Sequence, residues 1–356
     1  MHIMEKKKFN HNKAVMANGN IFGFPGNEKD ADIVIIPIPW DATVSIRKGS
    51  HLAPQAILNA STQLEFFHHD VENAFEINVF MTEVSSEWKK INNRCSEKST
   101  EYIRYFEEEG QEKAQSYFKK EIENINYTQS ILAQNLKERC QSLLNQNKLI
   151  GILGGDHSVA LGSIQAINDE YKDFGILQID AHADLKKKYF GFEQSRNSIM
   201  RNVLGTCPNI SKLIQIGVRE LSEEEFTFSK EEPRISTYFD WDVKKELLNG
   251  KTWLDIIKNI IHEMPENIYV SFDIDGLKPY LCPNTSTPKD GGFELNEIQF
   301  LLKEIVNSGK KIVGFDLCEV SPNVDNDIDA YIGAKALWEL ICYTEKSRRN
   351  HLNDNG

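Results

Sequence analysis

The chain has 356 residues, 40% hydrophobic and 26% charged, so it can bury a sizeable core. Its formal net charge of −12, from 41 Lys and Arg against 53 Asp and Glu, argues against nucleic acid and anionic membrane surfaces as partners and is compatible with a cationic substrate. Cysteines at 95, 140, 207, 282, 318 and 342 make no close pair, the basic start Met1 to Phe9 leads into no apolar segment, and no run approaches the ~20 residues of a membrane span. These features predict a soluble cytoplasmic protein with reduced thiols and no signal peptide.

Residues 1–30 are polar and rich in Asn and Gly, and read as a loose N-terminal arm or cap. The apolar run in Asp32 to Ile38 predicts a buried strand, and Pro54 to Leu64 a helix with proline in its first turn. Residues 71–148 change character. They are rich in Lys, Glu and Asn, with helices expected over Thr100 to Glu109 and Gln129 to Asn145, and read as a solvated helical elaboration outside the sheet. Beyond 148, short apolar runs at Leu149 to Leu153, Phe174 to Ile179, Lys212 to Val218, Ile268 to Phe272 and Lys311 to Leu317 predict strands. Helices are expected at Ser158 to Tyr171, Asp255 to His262, Leu295 to Asn307 and Ile328 to Tyr343. Buried strands alternating with helices predict a single-domain, three-layer α/β/α fold with a mostly parallel sheet over 31–348, followed by a polar tail at 349–356.

Three stretches rich in ligand-type residues follow predicted strands: Gly154-Gly155-Asp156-His157-Ser158, Asp180-Ala181-His182-Ala183-Asp184 and Asp273-Ile274-Asp275-Gly276. In an open α/β sheet, ligands bind beyond the carboxyl ends of strands. Side chains two apart share a face of extended backbone, so Asp180, His182 and Asp184 can converge, as can Asp273 and Asp275. Four clustered carboxylates would repel one another unless cations or protons offset them. With His157 the set suits two divalent ions, Mn(II) or else Ni(II), Co(II) or Zn(II). Taken singly the motifs are weaker: Asp156 or Ser158 serves as well for a helix cap, and Asp273 and Asp275 for a solvated turn.

Together with Pro39-Trp40-Asp41, Ala53-Pro54-Gln55-Ala56-Ile57, Thr285-Ser286-Thr287-Pro288 and Glu319-Val320-Ser321-Pro322, these motifs resemble the ureohydrolase family of arginases and agmatinases, over about residues 32–345. The region from Phe272 to Gly292 resembles a bacterial agmatinase-like branch. The resemblance implies a binuclear manganese centre. His157, Asp180, Asp184 and Asp273 would hold one ion and His182, Asp180, Asp273 and Asp275 the other, with Asp180 and Asp273 bridging. It also implies hydroxide attack on a guanidino or amidine carbon, Asp184 accepting a hydrogen bond from that hydroxide, and Glu319 pairing with the guanidinium. Agmatine is the first substrate it suggests, ahead of arginine and guanidino acids. Homotrimers or hexamers are usual in the family.

The chain departs from that pattern at Arg196, where the family generally carries a histidine. Arginine keeps its proton and cannot shuttle one, but it recognises carboxylates. An outward-facing Arg196 is an equal expectation. Lys278 and Ser286 also depart, and Lys186-Lys187-Lys188 is expected at the surface or the mouth of the site. The competing expectations are a formimidoylglutamase-like amidine hydrolase and a catalytically silent metal-binding relative. His68 and His69 are expected at the surface, and His51 has no assigned role.

Overall fold

The computed structural model describes residues 12–354. Eight strands form one sheet: β1 (Ile33–Pro37), β2 (Val79–Met81), β3 (Leu149–Leu153), β4 (Phe174–Ile179), β5 (Ile210–Ile216), β6 (Ile235–Tyr238), β7 (Asn267–Asp273) and β8 (Lys311–Cys318). Their order is β2-β1-β3-β8-β7-β4-β5-β6, and every pairing is parallel. The central strands are almost wholly buried, because helices cover both faces and leave no polar side for alternation. Two strands were not evident in the sequence. β2 is three residues long, and Ser236 and Thr237 break the apolar run of β6.

The helices are α1 (Ala53–Ala60), α2 (Ser86–Glu109), α3 (Gln111–Tyr117), α4 (Lys119–Leu144), α5 (Ala160–Glu170), α6 (Ile199–Thr206), α7 (Glu223–Glu231), α8 (Asp240–Leu248), α9 (Trp253–Glu263), α10 (Leu295–Asn307) and α11 (Ile328–Asp354). α2 starts at Ser85, whose hydroxyl accepts from the Trp88 amide at 3.2 Å, and stops at Gly110, where φ is 85°. α11 carries the region expected as a polar tail as far as Asp354.

Chain order explains where a cleft opens. From β1 the chain builds outward to β2, and from β4 outward to β5 and β6, while β7 and β8 return to fill the gap between β3 and β4. The connections therefore part to opposite sides near the centre, above the carboxyl ends of β3, β8, β7 and β4.

Three expectations change. α4 is not solvated outside the fold: Ile125, Leu132, Leu136 and Leu143 recur on one face and share a core cluster with Ile150 and Ile152 of β3. The N-terminal stretch lies partly outside the described residues, but its later part is packed, with Ile21, Phe22 and Phe24 buried. Phe22 and Phe24 meet Phe66 and Trp338 edge-on, an aromatic cluster that anchors the segment. His68 is also buried, its Nε2 3.0 Å from Glu339 Oε2, so it is an interior hydrogen-bonding residue rather than a surface one.

Candidate metal centre

Four neighbouring strands deliver the site. β3 leads into His157, β4 into Asp180, β7 ends on Asp273, and β8 is followed by Glu319. Close backbone approach makes this possible. A β-carbon on Gly154 would lie 2.5 Å from the Cys318 sulfur, and one on Gly276 2.8 Å from the Asp180 nitrogen. Asp156 caps the short helical turn His157–Val159 by accepting from the Ser158 amide at 3.0 Å.

The convergence is real, but extended backbone is not its cause. Asp180 Oδ1 accepts from the His182 amide at 2.7 Å, folding the chain back into an Asx turn. Asp184 then adopts a left-handed φ of 55°. Asp275 lies in a single 3₁₀ turn, with Asp273 Oδ1 accepting its amide at 2.8 Å. Asp275 in turn accepts from the Ala181 amide at 3.0 Å, which ties the ends of β4 and β7 together. Glu319 is also left-handed, at φ 65°. Non-glycine residues hold such backbone only where their surroundings enforce it, and two of the site carboxylates do so here.

Two groups of ligand-type atoms, each within 4.8 Å of one another, could hold metal: His157, Asp180 and Asp273, and Asp180, His182 and Asp275. Asp180 belongs to both. His157 Nδ1 lies 3.2 Å from its Oδ2 and His182 Nδ1 3.6 Å from its Oδ1. His157 Nδ1 also faces Asp184 at 3.1 Å and Asp273 at 3.8 Å, and His182 Nδ1 lies 3.0 Å from Asp275. All six residues predicted as ligands are thus brought to one place.

The site's electrostatics are dominated by its buried carboxylates. Burial and the neighbouring Asp180 push the Asp184 carboxyl up to about 8, and burial with Asp275 and Asp180 nearby raises Asp273 well above the carboxylate range. Burial works against charge on both imidazoles, yet the surrounding carboxylates raise His157 well above its usual value and His182 to about 11. So many buried carboxylates need positive countercharge, and this hard-to-borderline set of oxygen and imidazole donors fits divalent cations.

Several supporting residues were not singled out in the sequence. Ser271 Oγ pairs with His157 Nε2 at 2.8 Å, which leaves Nδ1 turned to the carboxylates, and Asp316 lies 3.6 Å from the same Nε2. Gln178 donates to Asp180 Oδ2 at 2.8 Å and is itself held by Gln215. Their signal was present as single polar residues inside otherwise apolar strands.

Arg196 does not point outward. It is buried, with Nη1 3.3 Å from Glu319 Oε2 and bonded to Ser286 Oγ. Glu319 Oε1 accepts from the His157 amide at 3.0 Å. Beyond these groups opens a cleft of about 350 Å³, lined in part by His182, Lys186, Arg196, Glu220, Glu225 and Lys289. Lys186 reaches the cleft and pairs with Glu225 at 2.7 Å, whereas Lys278 pairs with Glu294 at 2.8 Å, away from its lining.

Comparison with known proteins agrees with this architecture. A family model described as the arginase family matches residues 31–342. The N(1)-aminopropylagmatine ureohydrolase of Synechocystis sp. is 23% identical over 327 residues, covering 91% of this chain and 92% of that protein. The agmatinase of Halalkalibacterium halodurans is 27% identical over 303 residues, covering 84% and 87%. The crystal structure of an agmatine ureohydrolase of Thermoplasma volcanium shares the fold, with a TM-score of 0.67 at 23% identity over 92% of this chain and 94% of that one.

Proposed function

The chain belongs to the arginase family, and from that premise we propose that it is a binuclear manganese-dependent ureohydrolase that cleaves a C–N bond of a linear guanidino compound and releases urea. One observation carries the two-ion reading: two imidazoles approach opposite oxygens of a single buried carboxylate, Asp180. His157, Asp184 and Asp273 would complete one ion's shell, and His182 and Asp275 the other's, with Asp273 able to join Asp180 as a bridge. Divalent ions bound there would lower the pKa of a water to near neutrality and polarise the substrate.

The chain's own residues do the rest. Glu319 would hold the guanidinium nitrogens; a carboxylate offers about four acceptor positions, and the His157 amide and Arg196 leave capacity on it. Its left-handed backbone fixes that carboxylate, and Thr285 Oγ1 donates to its carbonyl at 2.9 Å. Asp184 would take a proton from the attacking water and pass it toward the departing amine, since Arg196 keeps its own proton. Agmatine-like and arginine-like compounds are the substrates this reading covers, in keeping with the substrates that the relatives' names give.

Among the described residues, no helix is long and apolar enough to cross a membrane. All six cysteines are free and buried, which supports a cytoplasmic setting, and the family analogy supports a homotrimer or hexamer. The test is product release by Mn(II)-loaded protein supplied with agmatine, arginine, 4-guanidinobutyrate, guanidine or formimidoylglutamate. Urea from at least one guanidino compound is expected. Formamide from the last alone would move the assignment to amidine hydrolysis, and no product from any would overturn it.

A further inference from the structure

The cleft over the candidate centre carries an unusual charge arrangement. Glu225 accepts from Lys186 at 2.7 Å, from the Leu185 amide at 3.1 Å and from the Ser222 hydroxyl at 2.7 Å. Glu220 is paired with Lys289. Glu319, behind them, is paired with Arg196 at 3.3 Å. Each carboxylate named in the lining or behind it therefore already has a cation. An ammonium group entering the cleft would have to share a carboxylate with a cation already paired to it.

Arg196 presents the opposite situation. Its Nη1 is engaged by Ser286 and Glu319. Among the described residues, nothing accepts a hydrogen bond from its Nε or Nη2, although the side chain is buried and lines the cleft. A guanidinium that lines a cleft and leaves donors unpaired by protein is a ready site for a planar anion, because its fork matches a carboxylate in geometry and charge.

The loop bearing Arg196 is held in place from outside. The Asn126 side chain of α4 donates to the Gly191 carbonyl at 3.2 Å and accepts from the Glu193 amide at 3.1 Å. Gln129 donates to the Gln194 carbonyl at 2.5 Å. Tyr102 of α2 packs edge-on against Phe192, and Phe106 against Phe190. Held on this side, and by Ser286 on the other, the guanidinium is a preorganised donor rather than a mobile surface charge.

We propose that Arg196 is a specificity-determining residue that selects linear guanidino or amidine substrates ending in a carboxylate over those ending in an amine. This inference rests on the hydrolase reading above and names the substrate class for that site. The probes are 4-guanidinobutyrate and agmatine, which share a guanidinium and a short chain and differ in whether they end in a carboxylate or an amine. Their binding to Mn(II)-loaded full-length protein is measured by calorimetry and their KM by urea release. The wild type is expected to bind the carboxylate compound at least ten-fold more tightly. Arg196→Gln should abolish that preference, and Arg196→Lys, which keeps the buried charge beside Glu319, should retain part of it.

Tighter binding of agmatine by the wild type, or an unchanged preference in a folded Arg196→Gln protein, overturns the proposal. An Arg196-dependent preference for the carboxylate compound without urea release would leave the proposal standing and sink the hydrolase reading. Failure to bind either compound would sink both.

Discussion

A β-carbon placed on Gly155 would lie 1.9 Å from the carbonyl oxygen of Trp40. The same carbonyl accepts from the Asp156 amide at 2.7 Å, and the Gly155 carbonyl accepts from the Glu319 amide at 2.8 Å. The turn that aims His157 is thus wedged between the segment after β1 and the segment after β8. Backbone cannot give way as a flexible side chain can. Gly155→Ala is expected to lose about 3 kcal/mol or more of stability and to bind less metal. Thermal melting and elemental analysis check this, and a variant that melts with the wild type at full metal content would refute it.

Manganese should stabilise the protein, and more so as pH rises. In the metal-free site Asp184 is raised to about 8, Asp273 well above the carboxylate range, and His182 to about 11. Groups raised in the folded state contribute stability that is lost as pH climbs through their folded values. Metal-free protein should therefore weaken between pH 6 and 8, while bound cations replace those protons and remove the penalty. Saturation to about 100 times Kd adds about 2.7 kcal/mol per site. Melting with chelator and with Mn(II) at the two pH values measures the gap, and a gap that narrows toward pH 8 would count against the site.

Metal affinity should depend on Ser271, whose hydroxyl hydrogen-bonds His157 and no other predicted ligand among the described residues. Its hydroxyl holds Nε2 at 2.8 Å and so fixes which ring nitrogen faces the carboxylates. Removing such an outer partner typically costs 10- to 100-fold in metal affinity. Ser271→Ala is expected to show a loss of about that size in Mn(II) titrations while melting close to the wild type without metal. Unchanged affinity would mean that ring orientation is set elsewhere.

These cases separate what could be read in the sequence from what could not. The strands from β3 onward that carry the site were legible as apolar runs, and all six ligand-type residues stood at or just beyond their ends. Local backbone was not legible. Asp184 arrives through a left-handed turn and Asp275 through a 3₁₀ turn, where extended alternation was the expected route. Alternation describes strands, and these residues lie just past the strand ends, where side chain to backbone hydrogen bonds decide conformation. The orientation of Arg196 was equally hidden, because it depends on Glu319 and Ser286, which lie 123 and 90 residues away. The role of 86–144 was obscured by its polar composition, since a helix with one apolar face still reads as mostly charged.

That helical insertion should matter to catalysis without touching substrate. Asn126 and Gln129 grip the loop of Arg196 from α4. Asn126→Ala combined with Gln129→Ala is expected to raise KM by about ten-fold while leaving metal content intact, because small misplacements of a binding group cost disproportionately. Steady-state kinetics and elemental analysis separate the two effects. A loss of metal together with activity would show instead that the insertion supports the whole centre.

Asp41 offers a test in acid. Its Oδ2 accepts from the Gly49 amide at 2.9 Å and meets His51 Nδ1 at 2.7 Å, and Oδ1 accepts from Asn92 at 3.1 Å. Burial favours the neutral acid, but His51, the Gly49 amide and Asn92 together hold the carboxyl below its usual value. A group lowered in the folded state contributes stability that is present above its unfolded value, about 4, and fades as pH falls through the folded one. Asp41→Asn should therefore cost about 2–4 kcal/mol near pH 7, where charged hydrogen bonds are lost inside the fold. The difference from wild type should shrink on acidification below about pH 4. Urea unfolding of metal-free protein at both pH values decides the matter, and a difference that persists or grows in acid would show that Asp41 acts through packing rather than through its charge.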